Sequence, residues 1–140
     1  MIIGYTTGVF DLFHIGHLNI LKKSKKKCDY LIVAVSNDKL SFKLKGKKPI
    51  IPFKERISII KSIKYVDRVV EEKKDDKIAA RKKFKFDIIF KGDDWKNTEK
   101  WKKLEVKLAK LKTKVVFLKY TKKTSSTLIT KTLNKITKSK

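Results

Sequence analysis

Residues 30–36 read YLIVAVS, an unbroken apolar run. A strand with one face in water alternates apolar and polar residues, so a continuous run describes a strand buried on both faces. Such a strand requires helices on both sides of its sheet. Apolar runs at Ile2–Thr7, Val66–Val70, Asp87–Phe90 and Val115–Leu118 predict four more strands. Between them lie lysine-rich segments with apolar residues at helical spacing: Gly16–Lys27, Phe53–Ile63, Asp75–Phe84, Thr98–Leu111 and Ser125–Ile136. Asn37–Pro52 is polar, carries Gly46 and both prolines, and predicts a loop. The expected fold is one α/β domain over residues 1–140, a five-stranded, mainly parallel sheet with helices on both faces. Ligands of such sheets bind outside the carboxyl ends of the strands. The loops that follow strands are residues 8–17, 37–52, 91–97 and 119–127.

The formal net charge of +24 raises nucleic-acid binding as a function. Its make-up argues for a solvated surface instead. Of the 38 basic residues 35 are Lys, and the three Arg are Arg56, Arg68 and Arg81. Base readout and bidentate phosphate recognition rely on Arg, and the lysines are spread along every helical segment rather than gathered in one arm. Weak, non-specific attraction of nucleic acid and of anionic substrates is the expectation. Cys28 is alone, which excludes a disulfide within the chain. The amino terminus lacks a basic n-region and Asp11 interrupts its apolar stretch, so no signal peptide is expected. The longest apolar run is too short to span a bilayer, and a cytoplasmic protein with no membrane association is expected.

The first 21 residues contain no Lys or Arg, yet they hold both histidines, in GVFDLFHIGH at residues 8–17. At helical spacing His14 and His17 share a face. They sit at a helix start, where free backbone N–H groups favour anions, and Gly16 lets the backbone approach a ligand closely. Two histidines without cysteines make a poor zinc set; beside Gly8, Asp11 and Gly16 they point to phosphate chemistry. Three other stretches bear on it. KLKGKK at Lys43–Lys48 places Gly46 between lysines on a loop after a strand. KGDDW at Lys91–Trp95 offers two carboxylates for a metal or ribose hydroxyls, or a helix cap. TKKTSST at Thr121–Thr127 offers hydroxyls at a helix start, for capping or for phosphate.

Together these stretches resemble the cytidylyltransferase superfamily of nucleotidyltransferases, and within it the glycerol-3-phosphate cytidylyltransferases. The likeness runs over nearly the whole chain. Its specific parts are GVFDLFHIGH (family pattern G-x-F-D-x-x-H-x-G-H), KLKGKK, ERISIIKSIKYVDRVV and GDDW. The resemblance implies a Rossmann-like nucleotidyltransferase fold. It also implies attack of a phosphomonoester oxygen on the α-phosphate of CTP, with Mg²⁺ accompanying the triphosphate. The products are then a CDP-alcohol, CDP-glycerol where glycerol 3-phosphate is the acceptor, and pyrophosphate.

By resemblance His14, His17 and Lys47 hold the triphosphate and stabilise charge at the α-phosphate. Gly8, Val9, Phe10, Asp11, Gly16, Gly92, Asp94, Trp95, Thr121, Ser125, Ser126 and Thr127 are the implied nucleotide-side residues. Lys45, Lys64 and Lys77 are those of the phosphorylated acceptor, and a homodimer is implied. The chain departs from the family at Tyr120, Lys122 and Lys123, which replace an arginine, a glutamate and a glycine, and at Lys64, which replaces an arginine. Three alternatives follow: ATP as donor, phosphocholine, phosphoethanolamine or a heptose phosphate as acceptor, or an inactive lysine-rich nucleic-acid binder on the same scaffold.

Overall fold

The computed structural model describes residues 1–119 and 131–135. β1 (Ile3–Gly8), β2 (Tyr30–Ser36), β3 (Arg68–Glu72), β4 (Ile88–Gly92) and β5 (Lys114–Leu118) form one sheet in the order β3-β2-β1-β4-β5. Every pairing is parallel, so the sheet is wholly rather than mainly parallel. Successive strands move outward from β1 to β3 on one side and from β4 to β5 on the other. Strand order therefore reverses beside β1, which opens a crevice at the carboxyl end of β1 and β4. This is the expected Rossmann-like α/β architecture.

The pleat of β2 shows why its sequence is apolar throughout. Leu31, Val33 and Val35 point to one face, where they pack with Leu21 of α1 (Ile15–Lys26) and Ile60 of α3 (Phe53–Lys61). Ile32 and Ala34 point to the other, with Phe86 and with Trp101 and Leu108 of α5 (Glu99–Lys110). Partly buried Ile78, Ala80 and Phe84 of α4 (Lys77–Phe84) join this second cluster. Cys28 is buried in the first, where a Cβ on Gly4 would stand 2.7 Å from its sulfur and 2.6 Å from the Phe90 ring. Glycine at position 4 is what lets β1 lie this close to both.

The sequence reading of residues 37–52 needs one correction. They hold a helix, α2 (Asp38–Lys45), ahead of the loop. Its signals are local and complete. Asn37 is the cap, its side-chain oxygen accepting the Leu40 N–H at 2.8 Å. Gly46 ends the helix in the left-handed region at φ 75°. Leu40 and Ser41 are its buried contacts. Elsewhere the shifts are at boundaries: β4 continues to Gly92, β3 to Glu72, and Asp76 caps α4 by accepting the Ala79 N–H at 2.9 Å. The helix expected over Ser125–Ile136 lies mostly outside the described residues, of which 131–135 are helical. No helix among the described residues is long and apolar enough to cross a membrane.

Candidate active site

A cavity of about 390 Å³ lies at the carboxyl end of β1 and β4. Gly8, Val9, Phe10 and Asp11 line it from the β1–α1 loop, His17 from α1, Lys45 from α2, and Lys91, Gly92, Asp94 and Trp95 from the end of β4 and the turn after it. Three stretches far apart in sequence meet here because each follows a strand of the same sheet.

The β1–α1 loop is held in a strained shape. Phe10 and Leu12 have φ values of 54° and 49°, in the left-handed region that costs a residue with a Cβ about 1–2 kcal/mol. Three anchors hold it. Phe10 is buried in the core. Asp11 accepts the Ile50 and Ile51 N–H groups at 2.8 Å each, which ties the loop after α2 across the cavity mouth. The Val9 carbonyl accepts from Arg56 at 2.7 Å.

Arg56 is fully buried. Besides Val9 it donates to the carbonyls of Ile51 at 2.8 Å and Ser36 at 2.7 Å, and to the Asp38 carboxylate at 2.6 Å. One guanidinium thus joins the ends of β1 and β2, the start of α2 and the loop after it. The sequence offered a signal for Arg56, namely an arginine where lysine is the rule, but spacing alone assigns it no role.

At the start of α1 both histidines act as caps. The Gly16 N–H donates to His14 Nδ1 at 3.0 Å, and the His14 N–H donates to His17 Nδ1 at 3.2 Å. The rings lie 4.1 Å apart, and His17 is flanked by Phe10 and Phe13. With Nδ1 accepting, the proton of each neutral imidazole belongs on Nε2. Burial, then the charges of His14 and Lys45, push the His17 pKa down to about 3. Burial lowers that of His14 as well. Both rings are neutral at physiological pH and oriented as Nε2–H donors. His14 Nε2 is buried with no hydrogen-bond partner among the described residues.

A consequence for stability follows. An unfolded histidine titrates near 6.5, whereas His17 in the fold titrates near 3. Between those values the unfolded chain holds a proton that the folded chain does not, so stability falls as pH drops below about 6.5. The loss of thermal midpoint between pH 7 and pH 5 is expected to be smaller in His17→Asn than in the parent, as scanning calorimetry at the two pH values measures.

The structure separates the other sequence-predicted residues. His14 and Gly16 do not line the cavity. Lys47 is exposed on the loop after α2 and does not line the cavity. Lys77 is buried at the start of α4 between Glu72 and Asp75, 2.8 Å from each. Lys64 lies between α3 and β3, at the edge where strands begin, with its ammonium 5.3 Å from the Tyr65 ring centroid. A helix running back along a parallel sheet delivers the chain to that opposite edge, so Lys64 is remote from the cavity. Asp93–Trp95 forms a single 3₁₀ turn, and Thr98 caps α5, so GDDW is not that helix's cap. Thr121, Ser125, Ser126 and Thr127, with Tyr120, Lys122 and Lys123, lie outside the described residues.

Comparison with known proteins bears on this arrangement directly. A glycerol-3-phosphate cytidylyltransferase from Staphylococcus aureus is 36% identical over 128 residues, 89% of each chain. An FAD synthase from Pyrococcus abyssi is 36% identical over 131 residues, 93% of this chain and 88% of that one. The crystal structure of a lipopolysaccharide core biosynthesis protein from Thermoplasma volcanium superposes with a TM-score of 0.73 at 36% identity, over 89% of this chain and 99% of that one. The model of the family described as cytidylyltransferase-like matches residues 5–132. With a nucleotide-sized crevice at the strand-order reversal and this likeness over most of its length, the chain belongs to the cytidylyltransferase-like family of nucleotidyltransferases.

Proposed function

We propose that the protein transfers CMP from CTP to a small phosphorylated alcohol, glycerol 3-phosphate, releasing pyrophosphate and CDP-glycerol. The observation that carries this reading is the pair of neutral imidazoles at the start of α1, both fixed through Nδ1 by backbone N–H groups. Of the two, His17 lines the cavity and presents through Nε2 a preorganised N–H donor to a developing negative charge without a proton to lose, while the His14 N–H fixes its ring. A phosphate oxygen of the acceptor attacks the α-phosphorus in line, the bond to the β-phosphate oxygen breaks, and pyrophosphate leaves. His17 steadies the charge gathering on the α-phosphate oxygens, and Lys45 holds the acceptor phosphate. No covalent enzyme intermediate is required.

Mg²⁺ belongs to the proposal as a companion of the triphosphate. Among the described residues no group of three or more His, Cys, Asp or Glu is arranged to cage a metal ion. That suits an ion which keeps phosphate and water ligands and takes one or two carboxylates. Asp94 is the carboxylate available for it, since Asp11 is engaged with the Ile50 and Ile51 amides. The ion would supply charge neutralisation on the phosphates.

The likeness to an FAD synthase favours a second reading, AMP transfer from ATP to a different phosphomonoester. One experiment separates the readings: pyrophosphate release with CTP, ATP, UTP or GTP against glycerol 3-phosphate, phosphocholine, phosphoethanolamine, a heptose phosphate and FMN. The fastest turnover is expected with CTP and glycerol 3-phosphate. Fastest turnover with ATP overturns the choice of nucleotide. Salt-sensitive nucleic-acid binding with no turnover of any pair overturns the reading as an enzyme. A homodimer is part of the proposal and is tested by sedimentation equilibrium.

A further inference from the structure

Lys91 lines the cavity, and spacing gave no reason to single it out from the other lysines. In β4 it follows Phe90 and shares its face with Ile89, on the side covered by α4 and α5. Its ammonium lies 4.9 Å from the Trp95 ring centroid and 5.6 Å from that of Trp101. These indoles position the partly buried ammonium by cation–π attraction. Among the described residues no carboxylate lies within 4 Å of it.

The charged groups around Lys91 come from four elements. Glu72 at the end of β3 is already bonded to Lys77 of α4 and to the Ser36 hydroxyl, each at 2.8 Å. Lys77 is matched in turn by Glu72 and Asp75. Asp94 comes from the turn after β4 and Lys45 from the end of α2. Desolvation, and next the charge of Lys77, lower the Lys91 pKa to about 8, with Asp94 and Glu72 opposing and Lys45 adding to the fall. A desolvated cation without a close counter-ion is costly. Lys91 and the more exposed Lys45 both line the cavity, and of its two carboxylates Asp11 is engaged by the Ile50 and Ile51 amides, so an anionic ligand can pair with the two ammonium groups directly.

We infer that Lys91 is the second cation, with Lys45, of a subsite that takes the phosphomonoester dianion of the acceptor substrate. This rests on the proposed transfer reaction and deepens it. A phosphomonoester loses its second proton near pH 6, so at neutral pH the subsite pairs a dianion with two ammonium groups. Binding of the dianion also holds Lys91 protonated.

The test is Lys91→Met, which keeps an unbranched stem between the indoles, with Lys91→Arg as the charge-retaining variant. In Lys91→Met the KM for the acceptor is expected to rise about 10- to 100-fold, the range of a hydrogen bond to a charged group. The KM for the nucleotide should stay within about threefold, and Lys91→Arg should recover part of the loss. In the parent, kcat/KM for the acceptor should fall as pH rises past about 8; in Lys91→Met that fall should move to higher pH, where Lys45 governs it. An unchanged acceptor KM, or an equal rise in both KM values, overturns the inference and leaves the proposed reaction standing. Calorimetric titration with inorganic phosphate supplies a readout without turnover. If the parent turns over no pair but phosphate binding still weakens in Lys91→Met, the reaction falls and the anion site stands. If phosphate binds parent and variant alike, the site falls. A thermal midpoint matched to the parent excludes misfolding, and Lys91→Gln replaces Lys91→Met if that variant does not fold.

Discussion

Replacing His17 with alanine is expected to lower pyrophosphate release by about 10²- to 10³-fold, the loss typical of deleting one preorganised donor to a developing oxyanion. The structure explains why the effect should exceed any cost to folding. His17 Nδ1 accepts the His14 N–H at 3.2 Å, so the substitution removes one capping bond as well as one donor on the cavity. A lost cap is worth about 0.5–2 kcal/mol of stability, which leaves most of the protein folded against a total of about 5–15 kcal/mol. His14→Ala should behave similarly through a different route. It removes the acceptor for the Gly16 N–H and the ring that lies 4.1 Å from His17. Steady-state pyrophosphate release measured beside the thermal midpoint separates the two contributions. A folded His17→Ala protein with parental turnover would remove the basis for placing the His17 imidazole at the reacting phosphate.

The largest effect on stability is expected at Arg56. Arg56→Met removes the guanidinium donor from the carbonyls of Val9, Ile51 and Ser36 and from the Asp38 carboxylate; Ser36 and Asp38 keep only the 3.3 Å bonds from the Ser41 hydroxyl and the Phe53 N–H. Asp38, whose side chain is 45% exposed, rehydrates, but each buried acceptor left unsatisfied costs about 1–3 kcal/mol, and together these are a large fraction of the stability of a domain this size. The urea midpoint should fall accordingly. Arg56→Lys should rescue only part of the loss, because an ammonium has three donors at one point whereas these four acceptors are spread around a planar fork. Whatever protein remains folded should bind triphosphate more weakly. Without the bond to Val9, the left-handed Phe10 and Leu12 lose one of the anchors that hold their strain. Equal midpoints for Arg56→Met and the parent would mean that the anchors at Phe10 and Asp11 suffice.

Individual residues show where sequence reasoning reached and where it stopped. His14 and His17 stood out because they are the two histidines of a lysine-free stretch, and their spacing placed them on one helix face. Helix α2 is not legible in the sequence because eight residues, five of them polar or charged, show too little periodicity beside Gly46 and two prolines. The resemblance implies Lys64 as an acceptor residue, but the loop it occupies precedes a strand and so lies at the far edge of the sheet. It implies Lys77 too, which the structure pairs with Glu72 and Asp75. The three arginines are a further lesson in composition. Arg56 forks among four acceptors, Arg81 donates to Thr113 and Leu111, and Arg68 stacks on Phe84. In a chain that defaults to lysine, arginine appears where a planar fork or a stacked guanidinium is needed.

Local patterning by itself determined the alternation of strands and helices and the burial of β2 on both faces. Each of these follows from a period of 2 or 3.6 residues, which neighbouring side chains encode directly. Tertiary structure alone decided which lysines meet. Lys45 and Lys91 are far apart in the chain, and a lysine by itself is no signal in a chain this rich in lysine. They face one cavity because β1 lies between β2 and β4, so the elements that follow those two strands converge. That convergence is a property of strand order, and strand order is settled by packing between distant segments rather than by any stretch of residues read alone.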